Sequence, residues 1–192
     1  MIELKNVSFS YNELQILNNF NLTVYGGECV HLYGASGSGK TTVSRLILGL
    51  ESTNLGQIIV PQKISAVFQE DRLLDNIDVI KNVRLILSKE QYEFADNLLK
   101  ETGLWDVRKK RVSKLSGGMK RRVAIVRAIA YGGDALILDE PFNGLDATNK
   151  QIAANIIKRE FLDKNKPVLL ITHIKEDAEL LNAQIVNINE TK

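Results

Sequence analysis

Gly34-Ala35-Ser36-Gly37-Ser38-Gly39-Lys40-Thr41-Thr42 matches the phosphate-cradling pattern G-x-x-x-x-G-K-[ST]. Its flanks fit. Glu28-Cys29-Val30-His31-Leu32-Tyr33 before it is short, mostly apolar and suited to a buried strand. After it, Val43, Leu46, Ile47 and Leu50 recur at i, i+3, i+4 and i+7, one face of a helix. A strand that feeds a helix through a glycine loop aims backbone N–H groups at an anion, and the helix dipole adds partial positive charge there. Residues 34–42 are therefore candidates to wrap phosphates. Lys40 would reach the β- and γ-phosphates of a nucleotide and Thr41 would ligate Mg²⁺.

The bulk properties narrow the setting. A chain of 192 residues that is 44% apolar can build one packed core without staples. Its 25 basic and 23 acidic residues leave a net charge of +2, without the basic excess of a nucleic-acid binder, and no nucleic-acid partner is expected. Cys29, the single cysteine, cannot form an internal disulfide, and a reduced, cytoplasmic setting fits. The N-terminal residues lack a charged-then-apolar leader. No apolar run approaches the ~20 residues that span a bilayer. Work at a membrane would need another subunit's spans.

Working outward, Ile2, Leu4, Val7 and Phe9 predict a strand with a bend near Asn6. Ser10–Glu13 reads as a turn and Ile16–Val24 as a second strand, with Gly26-Gly27 closing a hairpin onto the glycine-loop strand. Ser52-Thr53-Asn54 and Gly56 read as a loop, and Gln57–Val60 and Ile64–Phe68 as short strands. Over residues 71–114 helical spacing takes over: Val79, Val83, Ile86 and Leu87 share one face, and Tyr92, Ala95, Leu98 and Leu99 another. More than forty such residues exceed a simple crossover and predict an inserted helical lobe. Trp105 belongs to its core or to a partner contact, and Arg108-Lys109-Lys110-Arg111 to a solvated face. A helix from Leu115 through Ile129, a strand at Ala135–Leu138, a helix through Ile152, Ile156 and Phe161, a strand at Val168–Thr172, a short helix and a last strand at Ile185–Ile188 follow. The alternation predicts a single α/β domain over 1–192, with a mainly parallel sheet and an N-terminal antiparallel β subdomain. Residues 1–70 and 115–192 form the core, and 71–114 the lobe.

Three further places carry chemistry. Ile137-Leu138-Asp139-Glu140 is an apolar strand ending in two acids, and buried carboxylates need metal or partners. Asp139 would hold Mg²⁺, and Glu140 would orient or deprotonate an attacking water. Ser116-Gly117-Gly118 is a second glycine-rich helix start, either a capped helix end or another anion site. His173, after a strand, is either structural or a phosphate contact. His31 reads as a hydrogen-bonded sheet residue.

With these in place the sequence resembles the nucleotide-binding subunit of an ATP-binding cassette (ABC) transporter over nearly its whole length. The glycine loop resembles that family's Walker A motif and Ala135–Pro141 its Walker B strand. Gln69 resembles the Q-loop, Leu115–Met119 the signature, Asn143-Gly144-Leu145-Asp146 the D-loop and His173 the switch histidine. Tyr11 sits where the family stacks an aromatic on adenine. The resemblance implies ATP and Mg²⁺ as cofactors, with Glu140, His173, Gln69 and Lys40 catalytic, and Thr41, Gln69 and Asp139 at the metal. It implies that two cassettes pair head to tail, most simply as a homodimer, with Ser116, Gly117, Gly118 and Asp146 serving the partner's nucleotide. It implies transmembrane permease subunits that dock near Leu73–Val83, an extracytoplasmic solute-binding protein, and a peripheral place on the cytoplasmic face of the membrane.

Met119, where Gln is commoner, and Gln69-Glu70-Asp71-Arg72-Leu73-Leu74 resemble the nitrate, sulfonate and taurine importer group. Asn143-Gly144 departs from the commoner Ser-Ala of the D-loop. No C-terminal regulatory domain is expected. An exporter or lipid-extraction ATPase is the alternative. A soluble non-transport ABC ATPase fits less well, because one cassette without a coiled-coil arm lacks those proteins' usual build.

Overall fold

The computed structural model describes residues 1–53 and 55–189. Asn54, part of the expected 52–54 loop, lies outside them. An antiparallel sheet of order β2-β1-β4 is built from β1 (Ile2–Tyr11), β2 (Leu14–Val24) and β4 (Leu55–Ile59). A five-stranded parallel sheet has the order β5-β6-β7-β3-β8, from β3 (Cys29–Tyr33), β5 (Ile64–Val67), β6 (Ala135–Asp139), β7 (Val168–Ile171) and β8 (Gln184–Asn187). The mainly parallel core, the antiparallel N-terminal sheet and the helices make the expected α/β fold.

The bend at Asn6 is real. Asn6 adopts φ 50°, and the register with β2 slips between Leu4 and Val7, so both point inward although three positions apart. A bulge frees backbone donors, and neighbouring side chains take them. Asn6 N–H donates to Asn21 Oδ1 at 2.9 Å, and Asn19 N–H to Ser8 Oγ at 2.9 Å. Three expectations need correction. Gly56 lies within β4 rather than in a loop. β1 runs on to Tyr11, leaving Asn12-Glu13 as the turn. Gly26-Gly27 closes no hairpin, because β2 and β3 belong to different sheets. The turn instead carries the chain between layers, and a Cβ on Gly26 would lie 2.4 Å from the Asn165 carbonyl oxygen.

The central strands β6 and β7 are apolar and buried on both faces, as a sheet covered on both sides requires. Alternation then sorts their side chains. Ala135, Ile137, Leu169 and Ile171 pack with the antiparallel sheet and with Val43, Leu46 and Ile47 of α1 (Lys40–Ile47). Leu136, Leu138, Val168 and Leu170 face the other way, against α4 (Gly117–Tyr131) and α5 (Ala147–Ile157), which a π-helical turn extends over 158–162. The expected His31 reading holds: the ring is fully buried and Nε2–H donates to the Thr172 carbonyl at 2.8 Å. Cys29 is buried too, which pushes its thiol pKa up to about 12.

The 71–114 segment holds α2 (Val79–Arg84) and α3 (Tyr92–Glu101), joined and followed by short 3-10 turns. Val79, Val83, Ala95, Leu98 and Leu99 are buried in one cluster with Val123 and Val126 of α4. Ile86 does not share the apolar face. α2 ends at Arg84, and Ile86 is exposed beyond it. The partly buried Trp105 packs on that cluster with the Arg108 guanidinium 4.0 Å over its ring, while Lys109, Lys110 and Arg111 face solvent. A short helix, α6 (Lys175–Leu180), precedes β8. Among the described residues no helix is long and apolar enough to cross a membrane.

Candidate active site

The strand order decides what meets. β6, β7 and β3 are adjacent and parallel, so their C-terminal ends open on one crevice, the usual ligand position of an open α/β sheet. β3 delivers the glycine loop, β6 delivers Asp139 and Glu140, and β7 delivers Thr172 and His173. A cavity of about 420 Å³ lies there. Gly34, Ser36, Gly37, Gly39, Lys40, Thr41 and Thr42 line its floor, and Gln69, Asp139, Glu140 and His173 its far side. Its size lies within the usual range for a small-molecule site.

The loop is shaped by glycine where it enters α1. Gly39 has φ 102°, a left-handed conformation that disfavours side chains, and a Cβ there would meet Ile16 Cγ2 at 2.9 Å. Lys40 follows at the first helical position, and its ammonium donates to the carbonyls of Gly34 and Ala35, each at 2.7 Å. It is held over the loop, within reach of an arriving phosphate.

Glu140 is the most constrained residue in the site. It sits at φ 49° without being glycine. Its backbone N–H donates to the Ile171 carbonyl at 2.8 Å. Its Oε2 accepts from Thr172 Oγ1 at 3.1 Å, and its Oε1 lies 2.7 Å from His173 Nδ1. An ionised carboxylate only accepts, so the histidine proton of this contact is on Nδ1. Asp139 is 7% exposed. Burial pushes its carboxyl pKa up and the neighbouring Glu140 charge adds to that, with Arg121 and Lys40 opposing. A divalent cation would offset this crowding. Thr41 and Asp139 supply hard oxygen donors of the kind Mg²⁺ takes, and such a site normally completes its shell with waters and phosphate. No group of three or more acidic, histidine or cysteine side chains converges among the described residues, so a cage made wholly of protein is not the arrangement.

Other expected site residues lie outside this lining. Ala35 and Ser38 belong to the loop but do not face the cavity. Tyr11 stands at the end of β1, half-exposed, with Phe9 edge-on at 4.8 Å and its hydroxyl donating to Glu51 at 3.2 Å. Ser116 caps α4, accepting from Met119 N–H at 3.3 Å, and Ser116 and Gly117 are exposed. Asp146 caps α5, where both its oxygens accept from Asn149 at 2.8 Å, and those bonds hold its pKa below the ordinary value. Gly118 packs against the Gly144 carbonyl, so the two glycine turns touch each other.

Three residues of the site escape a reading of motifs. Ile16 and Ile171 line the cavity, and Thr172 holds Glu140. Ile171 and Thr172 are legible only as the strand end before His173, and Ile16 gives no signal.

A glycine loop opening a helix, beside a strand tipped with carboxylates on a parallel sheet, defines a P-loop nucleotide hydrolase. The model of the family "ABC transporter" matches residues 17–143. The aliphatic sulfonates import ATP-binding protein SsuB 1 of Rhodococcus jostii is 37% identical over 191 residues, covering 96% of this chain and 78% of that protein. The phosphonates import ATP-binding protein PhnC of Fusobacterium nucleatum is 32% identical over 216 residues, covering 97% and 87%. Among solved structures, an ATP-binding subunit of an ABC transporter superposes with a TM-score of 0.91 at 27% identity, covering 98% of this chain and 85% of that one. The cassette MJ0796 in a dimeric post-hydrolysis state with ADP and Pi gives 0.85 at 27% identity, covering 98% and 94%. The chain belongs to the ABC transporter family and is an ABC-type ATPase.

Proposed function

We propose that this chain hydrolyses ATP to drive import of a small solute, with an anionic sulfonate-like compound as the first candidate. The observation that carries the hydrolytic reading is the convergence of Lys40, Asp139, Glu140 and His173 on one crevice. The sulfonate and phosphonate importers among its relatives support import and the solute class. It would work as a pair of cassettes beneath permease subunits on the cytoplasmic face of the membrane, supplied by an extracytoplasmic solute-binding protein. Residues 71–114 would act as a lobe set apart from the remaining core, moving with the signature.

Phosphoryl transfer to water asks a protein mainly to position and neutralise. The loop amides of residues 34–42 would hold the phosphates, Lys40 would turn from its own carbonyls to the β- and γ-oxygens, and Tyr11 would stack on adenine. Thr41, Asp139 and Gln69 would hold Mg²⁺. The bound ion would neutralise developing phosphate charge. Glu140 would accept the proton of the attacking water, and His173 would turn its Nδ1–H from Glu140 to the γ-phosphate. Ser116, Gly117, Gly118 and Asp146 would complete the site of the second copy.

Glu140→Gln tests this reading. It keeps shape and polarity but removes the base, so ATP binding persists, turnover drops below ~1% of the parent, and an ATP-bound dimer accumulates on gel filtration. Normal turnover by this variant would remove Glu140 from its role. Co-purification from native membranes tests direction: a permease recovered with a solute-binding protein supports import, and a permease with a large extracytoplasmic domain and no such protein supports export.

A further inference from the structure

Arg121 lies outside the cavity, on the first turns of α4, and is 3% exposed. Its neighbours on that face, Ala124, Ile125 and Ala128, are buried, so a guanidinium is out of place in the apolar stripe. It is spent on oxygens from two separate segments. Nε–H donates to the Pro141 carbonyl at 3.0 Å, and Nη2–H donates to the carbonyls of Asp139, at 3.1 Å, and Glu140. Nη1–H donates to the Phe68 carbonyl at 2.6 Å and to Asp71 Oδ1 at 3.0 Å, with the Gln69 carbonyl further off at 3.4 Å. One side chain thus ties the turn after β6 to the loop after β5. Each carries a cavity residue, Glu140 in one and Gln69 in the other.

The clamp answers a specific strain. Glu140 holds a left-handed backbone, and such a conformation persists only where the surroundings over-determine it. Arg121 grips the carbonyls of Asp139, Glu140 and Pro141 at once. Lysine cannot replace it, because its three donors radiate from one nitrogen and do not form a planar fork. We propose that Arg121 is a positioning residue for hydrolysis: it fixes the backbones of Glu140 and Gln69 in one clamp, and loosening it disables water activation while nucleotide still binds. This inference rests on Glu140 acting on the attacking water.

Four variants of the full chain test it by kcat, KM and binding of a fluorescent ATP analogue, with thermal melting alongside. Arg121→Lys should lower kcat ~10–100-fold, the cost of a misplaced catalytic group, with KM and analogue affinity within ~2-fold of the parent. Arg127→Lys is the comparison, because among the described residues Arg127 donates to the Asp71 and Arg72 carbonyls and not to the Glu140 turn. Its kcat should stay at the parent value. Should Arg121→Lys fail to fold, Asp71→Asn decides, since it removes the carboxylate partner and leaves the arginine in place. It should lower kcat a few-fold with KM unchanged. Parent-like kcat in Arg121→Lys overturns the inference. So does parent-like kcat in Asp71→Asn where Arg121→Lys is unfolded, or losses in both arginine variants that track melting temperature. Glu140→Gln separates the two claims. If it is inactive and Arg121→Lys is not impaired, only the clamp fails. If Glu140→Gln turns over normally, the reading beneath it fails.

Discussion

Asp139 carries a conflict that a single substitution can expose. Its carboxyl is buried at the end of β6 next to Glu140, and both effects raise its pKa above the ordinary 3.8. A carboxyl with a raised native pKa holds its proton more tightly folded than unfolded. Its ionisation therefore opposes folding once the pH exceeds the native pKa, and that penalty vanishes below the unfolded value. Asp139→Asn removes the charge without changing shape. Without nucleotide and Mg²⁺, the variant should melt higher than the parent at pH 7, by ~2–4 °C if the relief is ~1 kcal/mol. The difference should shrink to nothing as pH falls to the unfolded carboxyl range. Hydrolysis should be lost at every pH, since the amide cannot hold the metal as the carboxylate would. Calorimetric scans from acid to neutral pH check this, and a variant that melts lower than the parent at pH 7 would show that Asp139 contributes to folding rather than opposing it.

At the scale of elements, α4 meets the D-loop turn through two glycines. A Cβ on Gly118 would sit 2.8 Å from the Gly144 carbonyl oxygen, whereas one on Gly117 would meet nothing within 4 Å. Gly144 itself has φ 75°, which gives a physical reason for glycine at that position. Gly118→Ala must therefore displace backbone and should cost ~1–3 kcal/mol in urea unfolding. Gly117→Ala should stay within ~1 kcal/mol of the parent yet, on the function proposed above, lose ATPase activity, because its exposed face would be offered to a second copy's nucleotide. Equal stability losses would refute the packing argument, and full activity in Gly117→Ala would refute the shared site. The same contact marks the limit of what sequence shows. Leu115–Met119 and Asn143–Asp146 are each legible as motifs, but nothing in their spacing says that they touch. Strand type and helix faces were readable because buried parallel strands and amphipathic helices carry distinct periods, as Leu136–Leu138 and Val123–Ile129 do. The Gly26-Gly27 turn was misread because a hairpin and a crossing between layers use the same glycines, and only pairing distinguishes them. Arg121 leaves one signal, a charge on an apolar helix face, while all its acceptors but Asp71 are backbone carbonyls that no residue identity reveals.

For the whole molecule, the decisive geometry is that Ser116–Gly118 are absent from the lining of the cavity that residues 34–42 define. Both are helix starts fit for phosphate, and both belong to one chain. One chain cannot fold them onto one nucleotide, because α4 and α1 lie on opposite faces of the parallel sheet, in different packed layers. Two copies arranged head to tail can, each lending its α4 terminus to the other's loop. On the function proposed above, activity then belongs to the dimer. In dilute solution the active fraction grows with total protein, so ATPase rate per chain should rise in proportion to concentration below the dimer dissociation constant and level off above it. Saturating ATP should move that midpoint to lower concentration, because a nucleotide held between two copies would bridge the interface and mass action would favour the bridged state. Glu140→Gln, by trapping the bridged state, should move the association midpoint lower still in analytical ultracentrifugation. A rate per chain that stays constant while ultracentrifugation tracks the passage from monomer to dimer would mean that one copy's crevice suffices. The second glycine-capped helix would then need another purpose.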